Sequence, residues 1–240
     1  MKNKSRPPIL IMCGGKGKRL GRVGQDLPKA LIKVGSKTIL ELKIRRYIRD
    51  GFDKFIICVG YKADMVRDAI RRYDLAGKCV FSDAGEPAGI LKRLYEARGS
   101  FGSRVMLTYG DTYTDMDLNA LLSTHEKSDN EATVVVAPIR NPFGLVEYDA
   151  GDRVTSFREK PVLNYYIGYA VINRSALELI PRKVIDMPDG EGLVTFYRIL
   201  TAMGKLGAFH HSGLQITFNT QDELKIAQQR MVYYTTREDR

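Results

Sequence analysis

Short apolar runs alternate with amphipathic stretches through the first half of the chain. Ile9–Cys13 and Phe55–Val59 are five-residue runs without a polar member, as strands buried on both faces are. Between them, Leu40, Ile44, Tyr47 and Ile48 fall on one face of a helix that Thr38 can cap and Gly51 can end. Ala63–Arg72 then reads as helix, Cys79–Phe81 as strand, Gly89–Ala97 as helix and Val105–Tyr109 as strand, before an acid-started helix over Asp117–Lys127. Repetition of this kind predicts an α/β domain, a mixed and mostly parallel sheet with helices on both faces.

The second half is richer in strands. Thr133–Ala137, Leu145–Tyr148, Val154–Phe157 and Tyr166–Ile172 read as strands, and Gly151-Asp152 fits a tight turn between two of them. Helices are expected over Ser175–Ile180, Val194–Met203 and Thr220–Tyr233. No repeat, low-complexity stretch or linker interrupts the 240 residues. The expectation is one domain over 1–240 with two halves, 1–125 and 126–240.

Composition narrows the class. With 44% hydrophobic and 28% charged residues, disordered and fibrous chains are excluded. A membrane-spanning helix needs about 20 apolar residues, far more than any run here, so no membrane partner is expected. Met1–Pro8 is basic, but the apolar stretch after it is too short for a secretory signal. Cys13, Cys58 and Cys79 are odd in number and lack metal-ligand spacing. They read as reduced thiols of a cytoplasmic protein.

The formal charge of +10 is not spread evenly. Residues 1–49 hold 14 Lys/Arg against Asp26 and Glu41, a local +12, and the remaining 191 residues carry −2. A local excess points to an anion site or a basic arm. Lys43, Arg45, Arg46 and Arg49 sit on the first helix and read as its solvated face. The basic residues lack the aromatic interleaving that stacks bases, so nucleic acid is the weaker expectation. His125 is expected on an exposed helix face, and His210-His211 to point to opposite faces of a strand.

Two motifs carry candidate chemistry. Gly14-Gly15-Lys16-Gly17-Lys18-Arg19-Leu20 follows the first strand directly. Glycines there let backbone N–H groups approach phosphate oxygens, and the Arg and Lys side chains supply positive charge. The spacing is neither that of a P-loop nor of a dinucleotide fingerprint. Nine residues past Arg19 comes Pro28-Lys29-Ala30-Leu31. Each alone has a plainer reading, a tight turn and a surface lysine. Likewise Asp111 could cap a turn, and Glu159-Lys160 could be a solvated pair.

Together, in this order, Gly-Gly-x-Gly-x-Arg-Leu, Pro-Lys-x-Leu, Val34-Gly35 and the amphipathic helix resemble the sugar-phosphate nucleotidylyltransferases. The resemblance continues through Phe55–Lys62, Gly85–Gly89, Tyr109-Gly110-Asp111, Phe143–Val146 and Ser156–Pro161. Within the family the chain is most similar to the glucose-1-phosphate cytidylyltransferases, with Leu91-Lys92-Arg93 adding to the likeness. The heptose-1-phosphate guanylyltransferases stand almost as near.

That resemblance implies a single Rossmann-like nucleotidyltransferase domain, with a nucleotide-binding first half and an acceptor-binding second half. It implies Mg²⁺-dependent transfer of a nucleotidyl group, cytidylyl from CTP first among the bases, to a sugar 1-phosphate or another small phosphorylated metabolite. Pyrophosphate would leave, and the product would be an activated precursor of surface polysaccharide. Homo-oligomerisation is compatible with it. Guanylyl, uridylyl and thymidylyl transfer, and a non-catalytic nucleotide- or nucleic-acid-binding relative, stay open as alternatives. By the same resemblance Arg19, Lys29 and Lys160 are catalytic. Cys13, Gly14, Gly15, Gly17, Gly89 and Gly110 would join Arg19 and Lys29 around the nucleotide. Gly144, Glu159, Lys160 and Gly168 would hold the acceptor, and Asp111 with Asn219 the metal.

Two positions depart from the pattern. Asn219 stands where the family has an aspartate, which removes a charge while keeping one carbonyl oxygen. Asn164-Tyr165-Tyr166-Ile167-Gly168-Tyr169 replaces a run of small residues, so aromatic rings are expected at the acceptor pocket.

Overall fold

Seven strands form one sheet in the computed structural model of the chain, which describes residues 6–17, 26–188, 190–218 and 220–238. In chain order the strands are β1 (Ile9–Met12), β2 (Lys33–Val34), β3 (Lys37–Thr38), β4 (Phe55–Val59), β5 (Cys79–Asp83), β6 (Arg104–Tyr109) and β7 (Thr112–Thr114). They continue as β8 (Ala132–Arg140), β9 (Leu145–Tyr148), β10 (Val154–Arg158), β11 (Val162–Asn173), β12 (Leu206–His210) and β13 (Gln215–Thr217). The main sheet has the order β12-β8-β11-β6-β1-β4-β5. Within it β11 runs antiparallel to both neighbours, and the other pairs are parallel. The expected mixed, mostly parallel sheet is present.

Alternation along the strands sorts the core into two layers. Ile9 and Ile11 of β1 pack with Leu40, Ile44, Val66, Ile70, Leu118 and Leu121, so helices Ile39–Arg49, Ala63–Arg72 and Leu118–Glu126 cover that face. Leu10, Ile56 and Cys58 pack with Leu91, Leu94, Phe196 and Leu200, so helices Ile90–Glu96 and Glu191–Ala202 cover the other. A third cluster joins Ile32, Val34 and Ile39 to Ile216, Phe218 and Leu224, and seats the helix Gln221–Glu238 beside β13.

Local signals act as expected at several ends. Thr38 caps its helix by accepting from the Glu41 amide at 3.2 Å, and Gly51 leaves that helix at φ +88°. Asp117 accepts from the Asn119 and Ala120 amides at the start of Leu118–Glu126. The β9–β10 hairpin turns at Gly151-Asp152. The stretch Ser175–Ile180 is instead a single 3₁₀ turn at Arg174–Leu177, because Pro181 and the preceding strand leave no room to propagate a helix.

Three polar residues expected at the surface are inside. His125 is buried, with Nδ1 2.9 Å from Thr133 Oγ1 and Nε2 3.0 Å from Asn173 Oδ1. Both ring nitrogens are satisfied, which makes its burial tolerable. Arg46 is buried, donates to Met116 O at 2.7 Å and lies over the Tyr113 ring. Lys43 is fully buried. Only Arg45 and Arg49 keep the solvated face expected of all four. His210 is exposed and His211 buried, as opposite faces require.

Candidate active site

The carboxyl ends of β1 and β6 lie side by side, because Met12 pairs with Tyr109 in the parallel register. Ligands of open α/β sheets bind outside such strand ends. Here they open into a cleft of about 790 Å³. Its walls come from four stretches: Met12–Gly17, Glu86 to Arg93, Tyr109–Thr112 and Tyr166–Gly168, with Lys29, Ala30, Gln215 and Thr217 between them.

The glycines of the first loop meet different demands. A Cβ on Gly14 would stand 2.5 Å from the Arg93 guanidinium carbon, whereas one on Gly15 would meet nothing among the described residues within 4 Å. Gly17 has φ +61°, which favours glycine. At Gly110 the obstacle is backbone. A Cβ there would lie 2.7 Å from Met12 O and 3.1 Å from Ala30 Cβ. The Gly110 amide donates to Met12 O at 2.9 Å, so the turn carrying Asp111 is laid directly against β1.

Pro28 leads into a single 3₁₀ turn, Lys29–Leu31, whose Ala30 and Leu31 are buried. Burying those two directs Lys29 into the cleft. Its Nζ lies 3.0 Å from Asp111 Oδ2 and 3.4 Å from Phe218 O. The pair is partly exposed, at 14% for the lysine side chain and 21% for the aspartate. At the mouth, Lys16 pairs with Glu86. It is half-exposed, as expected of a variable position in the motif.

Gly168 lines the opposite wall at φ +78°, with the Tyr109 ring 2.7 Å from where a Cβ would be. Of the three tyrosines in the aromatic run, Tyr166 alone faces the cleft. Tyr165 is exposed and Tyr169 is buried. Tyr166 meets Tyr109 edge-on at 6.0 Å, and its hydroxyl is 3.3 Å from that of Tyr197. Burial pushes its phenol well above the ordinary value, with Tyr197 and Tyr109 adding to it.

Cys13 lines the cleft but is buried, and burial pushes its thiol up to about 12. It is a packing residue, neutral at physiological pH. Gly89 caps the helix Ile90–Glu96 between the lining residues Ala88 and Ile90. Arg93 is a further residue of this wall. It is buried and donates to Val59 O at 2.5 Å and Glu86 O at 3.1 Å, with Gly14 O at 3.5 Å. One guanidinium therefore ties the end of β4 to two loops around the cleft. Its spacing on the helix, between Leu91 and Leu94, offered a signal that charge alone obscured.

Not every expected site residue converges here. Gly144, Glu159 and Lys160 belong to the β9–β10 arm and do not line the cleft. Lys160 Nζ is 3.7 Å from Glu159 Oε1, and both are more than half exposed. Gly144 packs under Phe157, 3.1 Å from a built Cβ. Arg19, Lys18, Arg22 and Asn219 lie outside the described residues. Among the described residues no three His, Cys, Asp or Glu side chains cluster as a metal site. Nor is any described helix long and apolar enough to cross a membrane.

A glycine-rich loop after β1, a lysine–aspartate pair and a cleft at parallel strand ends define an α/β protein with its candidate site at the carboxyl edge of the sheet. The chain belongs to the nucleotidyl transferase family, whose sequence model matches residues 9–174. It is 27% identical over 239 residues to a probable glucose-1-phosphate cytidylyltransferase of Bacillus subtilis, covering 90% of this chain and 92% of that protein. It is 28% identical over 155 residues to a D-glycero-alpha-D-manno-heptose 1-phosphate guanylyltransferase of Campylobacter jejuni, covering 63% and 67%. The fold is shared with HddC from Yersinia pseudotuberculosis, at a TM-score of 0.71, 21% identity and 94% and 100% coverage.

Proposed function

We propose that this chain transfers a nucleotidyl group, cytidylyl from CTP first among the candidates, to a sugar 1-phosphate or another small phosphorylated metabolite. The observation that carries the reading is the Lys29–Asp111 pair lining the same cleft as the Gly14–Gly17 loop. In the reaction a phosphate oxygen of the acceptor attacks the α-phosphorus of the NTP, one P–O bond forms, another breaks, and pyrophosphate leaves. Both reactants are anions. Catalysis of this kind rests on positioning and charge stabilisation more than on side-chain covalent chemistry.

The residues support that division of labour. Gly14, Gly15 and Gly17 line the cleft, and their amides would meet phosphate oxygens there. Lys29 is placed to neutralise the α-phosphate and the incoming acceptor phosphate. Gly110 lets the Asp111 turn lie against β1, and Gly168 lets the Tyr109 ring pack beside it. Arg19 would meet the leaving pyrophosphate, and Lys160 with Glu159 would bring the acceptor from the arm. The product would be an activated precursor of surface polysaccharide.

The site also suits a hard divalent cation. The Asp111 carboxylate and the Phe218 carbonyl converge on a point that a Lys29 ammonium reaches at 3.0 and 3.4 Å. Oxygen donors of this type, with phosphate oxygens completing the set, fit Mg²⁺. Bound there, the ion would offset phosphate charge. Asp111 and Asn219 are the residues proposed to hold it.

The test is pyrophosphate release with each of four NTPs against a panel of phosphorylated acceptors. Release with CTP and a sugar 1-phosphate is expected to exceed the other pairs. Absence of release with every pair would overturn the reading.

A further inference from the structure

Lys43 stands between Leu40 and Tyr47 on the face of its helix turned to the sheet, and it is 0% exposed. An ammonium taken out of water needs oxygen partners for its three protons. Its Nζ lies 2.8 Å from Thr108 Oγ1, 2.5 Å from Tyr109 O and 2.5 Å from Thr112 O, with the Tyr169 hydroxyl at 3.3 Å. None of these partners is a carboxylate. Two are main-chain carbonyls, and they bracket Gly110-Asp111 from both sides. Carbonyl oxygens aimed at one point repel unless a cation sits between them.

A second tie reinforces the first. The Tyr169 hydroxyl donates to Thr112 O at 3.2 Å and lies 3.1 Å from the Tyr47 hydroxyl. Tyr169 follows Gly168 where the β11–β8 register shifts between Tyr166 and Ala170, and such bulges re-aim side chains. Burial alone would raise the Tyr169 phenol. The Lys43 ammonium beside it, together with hydrogen bonds involving Thr108, Tyr47 and Thr114, offsets burial and holds it below its ordinary value.

We propose that Lys43 is a positioning residue whose ammonium clamps the carbonyls of Tyr109 and Thr112, and so fixes where the Asp111 carboxylate stands in the cleft. A side chain that merely filled this volume would need no donors aimed at the two ends of one turn. The clamp is a property of the fold. Its consequence for metal and phosphate rests on the nucleotidyl-transfer reading above.

Two measurements on the full chain separate these levels. Amide hydrogen exchange over residues 109–114 reads the clamp, and titration with Mn²⁺·CTP reads its consequence. In Lys43→Met, exchange over 109–114 is expected to rise at least tenfold while the Ile9–Met12 and Phe55–Val59 strands stay protected. Mn²⁺·CTP should bind at least fivefold more weakly. Should Lys43→Met not fold, Tyr169→Phe carries the test, since its ring still packs and only the hydroxyl contacts to Thr112, Tyr47 and Lys43 are lost; about threefold faster exchange over 109–114 is expected. Exchange that is unchanged, or faster evenly throughout the core, would overturn the clamp. Unchanged Mn²⁺·CTP affinity beside a loosened turn would overturn its role in placing Asp111. If the parent chain itself neither binds Mn²⁺·CTP nor releases pyrophosphate, the nucleotidyl-transfer reading fails and the exchange result still decides the clamp.

Discussion

Lys29 Nζ and Asp111 Oδ2, 82 residues apart in sequence, lie 3.0 Å apart in the cleft. Each is half of a charge pair that a polyanionic substrate would reorganise, with the lysine turning to phosphate and the aspartate freed for a cation. The pair is only 14% and 21% exposed, so removing one member of it costs more than the about 0–1 kcal/mol of a fully exposed pair. Lys29→Ala and Asp111→Asn should therefore melt measurably below the parent while staying folded. Losing one preorganised charge at a reacting phosphate should lower kcat by roughly 10²–10³-fold. Pyrophosphate release and thermal melts on the same samples check both halves. Near-parental kcat in either variant would remove that residue from the mechanism.

Gly110 and Gly168 give a prediction read in stability. A methyl on Gly110 meets the Met12 carbonyl oxygen at 2.7 Å, a backbone atom that cannot swing away. One on Gly168 meets the Tyr109 ring at a φ of +78°. Overpacking costs about 1–3 kcal/mol, and left-handed backbone adds about 1 kcal/mol for a residue with a Cβ. Gly110→Ala and Gly168→Ala should each lower the urea midpoint with an unchanged m-value. Gly15→Ala, with nothing among the described residues within 4 Å, should leave the midpoint in place.

His125 predicts a pH dependence of stability. Burial lowers its folded-state pKa below the ordinary 6.5, and the nearby Arg104 adds to that against the bond to Asn173. The unfolded chain then binds the proton more readily than the folded one, so unfolding becomes easier as pH falls. The loss should begin near pH 6.5 and level off once pH is below the folded value. Melts between pH 8 and 5 should show this slope in the parent and a shallower one in His125→Gln. Parallel slopes would mean that other groups carry the acid sensitivity.

Where sequence patterns were legible, the determinant was local. The apolar runs of β1 and β4, the Thr38 and Asp117 caps and the Gly151-Asp152 turn each lie within a few residues of what they specify. The convergence of Lys29 with Asp111 was legible only through the order of motifs. The pairing of β7 with β13 was not legible, because both strands are three residues long and about a hundred residues apart. Lys43 and Arg46 were hidden differently. Charge argues for solvent, yet Lys43 sits three residues from Leu40 and four from Tyr47, on the buried stripe. With those two charges inside and Arg45 paired to Glu41, the first helix offers a weaker basic surface to nucleic acid than its composition implied.

The thiols supply a chemical check on the cleft. Burial raises Cys13 to about 12 and pushes Cys58 higher still. Thiolates are the reactive form, so neither should alkylate at pH 8 in the folded chain, whereas both should in urea. Cys79, only partly buried, is raised to about 11 and should stay slow for lack of thiolate. Mass spectrometry after iodoacetamide treatment reads all three. Rapid native labelling at Cys13 would show that the wall of the cleft beside Gly110 opens in solution.

In the proposed reading the β9–β10 arm contributes to acceptor binding from outside the nucleotide cleft. Lys160 and Glu159 stand outside the cleft, more than half exposed and joined to each other at 3.7 Å, so neither holds the fold together. Lys160→Ala should leave the melting temperature and the KM for NTP at parental values. If the arm delivers the acceptor phosphate, losing the ammonium removes a charge-assisted contact of about 1.5–3 kcal/mol. That corresponds to a rise of roughly tenfold or more in the KM for the acceptor. An equal rise in both KM values would instead place Lys160 at the triphosphate. No change in either would leave the arm's apolar surface, Phe143, Tyr148 and Phe157, as the part of it that matters.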